Sequence, residues 1–132
     1  MSVELHRSQD LSEVAEYAYA SSTEASRLVF TAGACPLDSS GQVPPSSISE
    51  QAELCMDNLT LALRAAGSDL NAVLKTTVYV ASSDRGELVE AWNAVRAAMG
   101  EHDAPSTLLG VTVLGYPNQR VEVEAVAVGT AP

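Results

Sequence analysis

The sequence predicts an α+β domain of the mixed α/β class, a mixed β-sheet with two helices on one face in the order βββαβαββ, and three observations predict it. Short alternating stretches occupy the chain before any helical pattern begins. Two apolar stripes of helical period follow, each opened by capping chemistry and closed by a glycine, with an alternating run between them. The chain then ends on two β-branched runs within residues 101–129, parted by the turn signal Gly115-Tyr116-Pro117-Asn118. Helices that are apolar on one side only must lie against a sheet face. Nothing remains in the chain to cover the other face, so a partner subunit is the expected cover. At 132 residues the length suits one domain, 1–132, with a single core.

Val3–Arg7 is the first expected strand and Ala15–Ser21 the second, with Tyr17 and Tyr19 on one face. The third, Arg27–Gly33, alternates Leu28, Phe30 and Ala32 against Val29, Thr31 and Gly33. Asp38-Ser39-Ser40-Gly41 is turn chemistry, and the loop runs on through Pro44 and Pro45, because Pro45 has no N–H for a ladder and holds Pro44 extended. Ser47 and Glu50 fit a capping box, in which hydroxyl and carboxylate each satisfy a backbone donor. Behind it Ile48, Ala52, Cys55, Leu59, Ala62 and Ala66 form an apolar stripe that ends at Gly67, a residue suited to the left-handed C′ position. Leu54, Met56 and Leu61 lie off this stripe, so the buried face is wide or reaches a partner subunit. In the fourth strand Leu74, Thr76, Val78 and Val80 alternate with Lys75, Thr77 and Tyr79. Asp84 and Glu87 repeat the cap logic for a second helix with the stripe Leu88, Trp92, Val95 and Met99, ended by Gly100. Asn93 and Arg96 share its neighbouring flank.

In the closing strand Val121, Val123, Ala125 and Ala127 fall on one face, and Glu122, Glu124, Val126 and Val128 on the other. Same-face neighbours stand about 6.5 to 7 Å apart, so the two carboxylates would feel each other wherever water is excluded. Without further information such a pair reads as a solvated strand end.

Hydrophobic residues make up 46% and charged residues 18% of the chain, which excludes a disordered polypeptide. Seven basic residues against seventeen acidic ones give a net charge of −10, and the only lysine is Lys75. That field repels phosphate backbones, and no basic cluster offsets it, so nucleic acid is not an expected partner. The start of the chain has neither a basic nor an apolar leader region, and no apolar run approaches the roughly 20 residues of a membrane span. A cytoplasmic protein without a membrane partner is expected, with Cys35 and Cys55 reduced. No Gly-rich phosphate loop and no His/Cys/carboxylate metal pattern occurs, so a cofactor-free site is the default.

Four stretches, taken together in order and spacing, resemble the Rid family, the YjgF-type reactive intermediate deaminases. Leu28-Val-Phe-Thr-Ala-Gly-Ala-Cys-Pro-Leu-Asp38 resembles the family's early strand and its Gly-x-x-Pro-Leu-Asp loop. Val73-Leu-Lys-Thr-Thr-Val-Tyr-Val80 resembles its middle strand, and Pro105-Ser-Thr-Leu108 with Val121-Glu-Val-Glu-Ala-Val-Ala127 its end. The resemblance covers nearly the whole chain and implies the chorismate-mutase-like Rid fold, a homotrimer, and small-molecule clefts between subunits. Carried over residue by residue, it makes Glu124 the carboxylate that activates water, with Tyr17 and Thr107 beside it as catalytic candidates. Gly33, Ala34, Cys35, Asn93, Pro105 and Ser106 become substrate-binding candidates.

The departure is Pro105. Active imine deaminases of the family carry arginine there, gripping the carboxylate of a 2-imino acid with two charge-assisted bonds, whereas proline offers not even an N–H. Losing such a partner costs on the order of 2 to 5 kcal/mol, or about 30- to 4,000-fold in binding. The resemblance therefore implies a hydrolase of an imine, enamine or related metabolite with weak or no 2-imino acid deaminase activity. The alternative is a non-catalytic metabolite-binding or chaperone-like module. On the sequence alone, Arg96 and Arg120 are the cations that would stand in for the absent arginine.

Overall fold

The computed structural model describes residues 3–130. The elements run β1 (Val3–His6), β2 (Ala20–Thr23), β3 (Leu28–Phe30), α1 (Ile48–Ala65), β4 (Val73–Val80), α2 (Arg85–Met99), β5 (Ser106–Gly110) and β6 (Val121–Val128), with a short 3₁₀ turn, Leu70–Ala72, leading into β4. The order read from the sequence is the order found. The strands, however, divide between two sheets: β1 and β2 form an antiparallel ribbon of their own, and the main sheet runs β3-β6-β4-β5.

Within the main sheet only β4 and β5 are parallel, joined by the α2 crossover, while β6 runs antiparallel to both β4 and β3. The two closing runs therefore flank β4 from opposite sides, and the Gly115–Asn118 turn between them does not make a hairpin. Asn118 adopts φ 66° in that turn, a conformation asparagine tolerates.

The second strand lies later than the sequence places it. Its pairing with β1 begins at His6↔Ala20 and ends at Val3↔Thr23, so Ala20, Ser21, Ser22 and Thr23 form the ladder. Tyr17 and Tyr19 precede it. Ala18 N–H donates instead to the Asp103 carbonyl at 2.8 Å, far along the chain, and the Arg7 guanidinium to the Tyr17 carbonyl at 3.0 Å, which commits this backbone elsewhere.

Helix α1 starts as its capping box requires. Ser47 Oγ accepts from Glu50 N–H at 3.1 Å, and Ser47 N–H donates to the Glu50 carboxylate at 2.9 Å. Such a cap stabilises a helix by about 1 kcal/mol. Its buried face holds Ile48, Gln51, Ala52, Cys55, Met56, Leu59 and Leu63. Leu63, not Ala62, continues the stripe past Leu59, since the larger side chain fills the interior while Ala62 is exposed. Leu61, off the stripe, is 62% exposed. In α2 the buried positions are Ala91, Val95 and Met99, with Leu88 and Trp92 packed at the edge.

Both helices cover one face of the main sheet, the face carrying Thr76, Val78, Val80, Val121, Val123, Ala125 and Ala127. Lys75, Thr77, Tyr79, Glu122, Glu124 and Val126 point to the other face by strand alternation, and each is only partly buried. Phe30, paired with Val126, is 72% exposed there.

Candidate functional site

The open sheet face collects polar side chains because the register of its strands stacks them side by side. Thr77 on β4 pairs with Glu124 on β6 and with Thr107 on β5, and Tyr79 pairs with Glu122 and with Leu109. The Tyr79 hydroxyl reaches diagonally and donates to the Glu124 carboxylate. That bond holds the Tyr79 phenol above its ordinary pKa, with burial and the charges of Glu124 and Glu122 acting the same way.

Glu122, one pleat earlier, is folded over the Gly33 backbone. Its Oε1 accepts from Cys35 Sγ at 3.3 Å and from Gln119 Nε2 at 3.1 Å. Residues 33–37 are pinned from two sides. Ala34 exchanges both backbone bonds with Val123, at 2.7 and 3.0 Å, and Asn58 of α1 donates to the Cys35 and Leu37 carbonyls at 2.8 and 3.1 Å. Burial, then the hydrogen bond and charge of Glu122, push the Cys35 thiol up to about 11, so it is protonated and unreactive at neutral pH.

On β5 the candidates separate. Thr107 lies on the Glu124 side of the sheet and accepts from Lys75 Nζ at 2.6 Å. Ser106 faces the helices, where it accepts from the Thr76 hydroxyl at 2.7 Å. Pro105 is buried, and its carbonyl accepts from Thr76 N–H at 3.0 Å.

Tyr17 and Asn93 stand elsewhere. The Tyr17 ring packs edge-on against Trp92 of α2 with centroids 5.9 Å apart. Trp92 Nε1–H donates to Glu16 at 3.1 Å, and Arg96 pairs with the same carboxylate at 3.3 Å. Asn93 is exposed on the same helix. Since α2 covers the opposite face of the sheet, Tyr17 and Asn93 do not meet Glu124 within one chain. Arg120 is also engaged, with its Nη2 2.8 Å from each carboxylate oxygen of Glu87. Both arginines singled out as substitutes for the missing one are thus already held by carboxylates.

Tyr79, Gln119, Asn58 and Lys75 are the members of this site that sequence reasoning passed over. The alternation of β4 puts Lys75, Thr77 and Tyr79 on one face, but only the β4–β6 pairing brings that face to Glu124. A hollow of about 320 Å³ lined by Arg7, Ser8, Gln9, Ser12, Glu13, Ala15 and Tyr19 contains none of the open-face residues. Among the described residues no three His, Cys, Asp or Glu side chains are grouped to hold a metal ion, and no helix is long and apolar enough to cross a membrane.

The family model described as Endoribonuclease L-PSP matches residues 10–129. The chain belongs to that family. Mouse 2-iminobutanoate/2-iminopropanoate deaminase is 33% identical over 112 residues, covering 83% of this chain and 80% of the relative. Among solved structures, a protein of unknown function of the conserved Rid family, YyfB of Yersinia pestis, superposes with a TM-score of 0.87 over 97% of this chain and 99% of its own, at 20% identity. Rv2704 of Mycobacterium tuberculosis, a member of the YjgF/YER057c/UK114 family, gives 0.67 over 96% and 99%, at 26% identity. The Rid resemblance of the sequence and the Rid fold are thereby established.

Proposed function

We propose that this protein hydrolyses an imine or enamine in a cleft between copies of the chain, with Glu124 as the base. The observation that carries the reading is the Glu124 carboxylate on the open sheet face, oriented by the Tyr79 hydroxyl; the family resemblance of the closing strand is what assigns it the water-activating role. Water attacks the imine carbon as Glu124 takes one of its protons, and the C=N electron pair moves to nitrogen. Glu124 returns the proton to that nitrogen to give a carbinolamine, whose hydroxyl proton then passes by way of Glu124 to the nitrogen as the C–N bond breaks, leaving a carbonyl and ammonia or an amine. Relatives named as 2-iminobutanoate/2-iminopropanoate deaminases support the reaction class.

The intersubunit cleft is supported by the division of the candidates. Glu124, Thr107, Gly33 and Cys35 lie on or beside the open face, while Tyr17 and Asn93 lie on the far side, at the flank of α2. A second copy presenting that flank to the open face unites them and covers the sheet, and the family resemblance makes the assembly a homotrimer. Nucleic acid is not a partner in this reading, because the charge of −10 opposes it.

Turnover of 2-imino acids is weak, since Pro105 supplies no donor for their carboxylate. That same substitution favours a second reading, a cleft that binds a metabolite without turning it over. A panel of imines generated in situ from amino acids and amines, with carbonyl products detected, separates the two. Glu124→Gln abolishes the accelerated hydrolysis on the first reading, and no member of the panel is accelerated by the wild type on the second.

A further inference from the structure

We infer that Lys75 and Thr107 form an anion subsite on the open sheet face, so that the substrate of the proposed reaction carries a carboxylate set some bonds away from its imine carbon. The inference rests on the proposed reaction only for the word substrate; the subsite itself is read from the side chains.

Lys75 is the single lysine of the chain. Its ammonium lies 2.6 Å from the Thr107 hydroxyl and, among the described residues, makes no ion pair. The arginines near the candidate residues are differently placed, since Arg7 is bound to Asp103 at 2.9 Å, Arg96 to Glu16 at 3.3 Å and Arg120 to Glu87 at 2.8 Å. A small anion approaching this face meets the carboxylates of Glu122 and Glu124 in a protein of net charge −10. Binding there needs a local cation, and Lys75 is the one that the strand register puts on the face. The Thr107 hydroxyl adds a second donor, because it accepts from Lys75 and keeps its own proton to give.

The register also sets the length of the ligand. Thr77 is the partner of Glu124 and Lys75 is one pleat beyond it, so Lys75 and Glu124 are diagonal neighbours about 7 to 8 Å apart. Lys75 leans away from Glu124, toward β5, and the β5 and β6 backbones are separated by two strand spacings, roughly 9.5 Å. In a 2-imino acid the carboxylate is bonded directly to the imine carbon and cannot reach Lys75 while that carbon meets a water on Glu124. A carboxylate two or three carbons further along spans the gap.

The test uses unreactive probes on the full chain. Binding of 4-oxopentanoate, pyruvate and the neutral 2-pentanone is measured by ligand-observed NMR titration for wild type, Lys75→Met, Lys75→Arg and Thr107→Val. Wild type prefers 4-oxopentanoate over 2-pentanone by about ten- to a hundredfold, the range of a charge-assisted bond, and over pyruvate by a smaller factor. Lys75→Met erases the preference, Lys75→Arg keeps most of it, and Thr107→Val lowers it a few-fold. If Lys75→Met is unstable, Lys75→Gln, which also removes the charge, and Thr107→Val decide. No preference for 4-oxopentanoate in the wild type, or a preference left unchanged by removing the charge of Lys75 and the hydroxyl of Thr107, overturns the subsite. A Lys75-dependent preference in a protein that accelerates no imine keeps the subsite and sinks the proposed reaction. Glu124-dependent hydrolysis without the preference does the reverse.

Discussion

The hydroxyl of Tyr79 donates to the carboxylate of Glu124 across the β4–β6 pairing, one register step off the direct partners Thr77↔Glu124 and Tyr79↔Glu122. Diagonal neighbours on one sheet face are within reach of an aromatic side chain, so the bond follows from having tyrosine at this pleat. It gives the candidate base a fixed direction without any contact from the helices.

A titration reads this bond. Hydrogen bonding to Glu124, then burial and the neighbouring charges, raise the Tyr79 pKa above its ordinary value of about 10. The folded state therefore prefers the protonated phenol. The resulting stabilisation is fully present below the unfolded value and is lost as pH rises through the higher folded value. In rapid pH-jump absorbance titrations one of the four tyrosines of the wild type ionises late. Glu124→Gln brings it down toward the ordinary range, and an unchanged titration in that variant would show that the bond does not form in solution.

Gly33 is required by Glu122 rather than by its own backbone. A Cβ added there would stand 1.9 Å from Glu122 Oε2 and 2.5 Å from Cδ, so the carboxylate would have to swing out and release Cys35 and Gln119. Gly33→Ala is expected to cost about 1 to 3 kcal/mol in denaturant unfolding, through two broken bonds to a charged group. The thiol supplies a second reading of the same event. With its pKa at about 11, only about one Cys35 in a thousand is ionised at pH 8. Losing the Glu122 contacts lowers that pKa, although burial keeps part of the rise, so Gly33→Ala accelerates iodoacetamide labelling of Cys35. Equal stability and equal labelling rates would mean that Glu122 does not rest on Gly33.

The sequence yields the helices and the closing strand most clearly, because their signals are local. A capping box, a terminal glycine and alternation through Val121–Val128 each involve residues within a few positions of one another. Pairing is a different matter. Strand β2 starts later than the alternation suggests because Ala18 and Arg7 are held by Asp103, a partner some 85 to 96 positions along the chain that no local pattern announces. The site divides in the same way. Glu124 and Thr107 are found by motif, but Tyr79 and Lys75 join them only through the register of β4 against β6 and β5. Arg96 and Arg120 look free in the sequence, and only the folded chain shows the carboxylates of Glu16 and Glu87 beside them.

Position 105 offers a test of what the chain lacks. Pro105 is buried at the entrance to β5, and continuing the strand alternation backward from Thr107 puts position 105 on the Glu124 side of the sheet. The register Thr76↔Ser106 makes it the neighbour of Lys75. An arginine there would add a planar, bidentate grip next to a lysine that supplies only a point charge. Pro105→Arg is therefore expected to raise kcat/KM for 2-iminopropionate, read through pyruvate formation when the imine is generated enzymatically from alanine. The full value of such a grip is about 30- to 4,000-fold, but a gain nearer tenfold is expected. Two effects hold it down: the proline fixes the backbone that carries Thr107, and its ring is buried, so the guanidinium is displaced from the best geometry by an ångström or more. The same substitution lowers stability by about 1 to 3 kcal/mol, within the range for changes at buried positions. Wild-type turnover of 2-iminopropionate equal to that of an arginine-bearing relative would refute the reasoning, because it would mean that a carboxylate bonded directly to the imine carbon is already held without any residue at position 105.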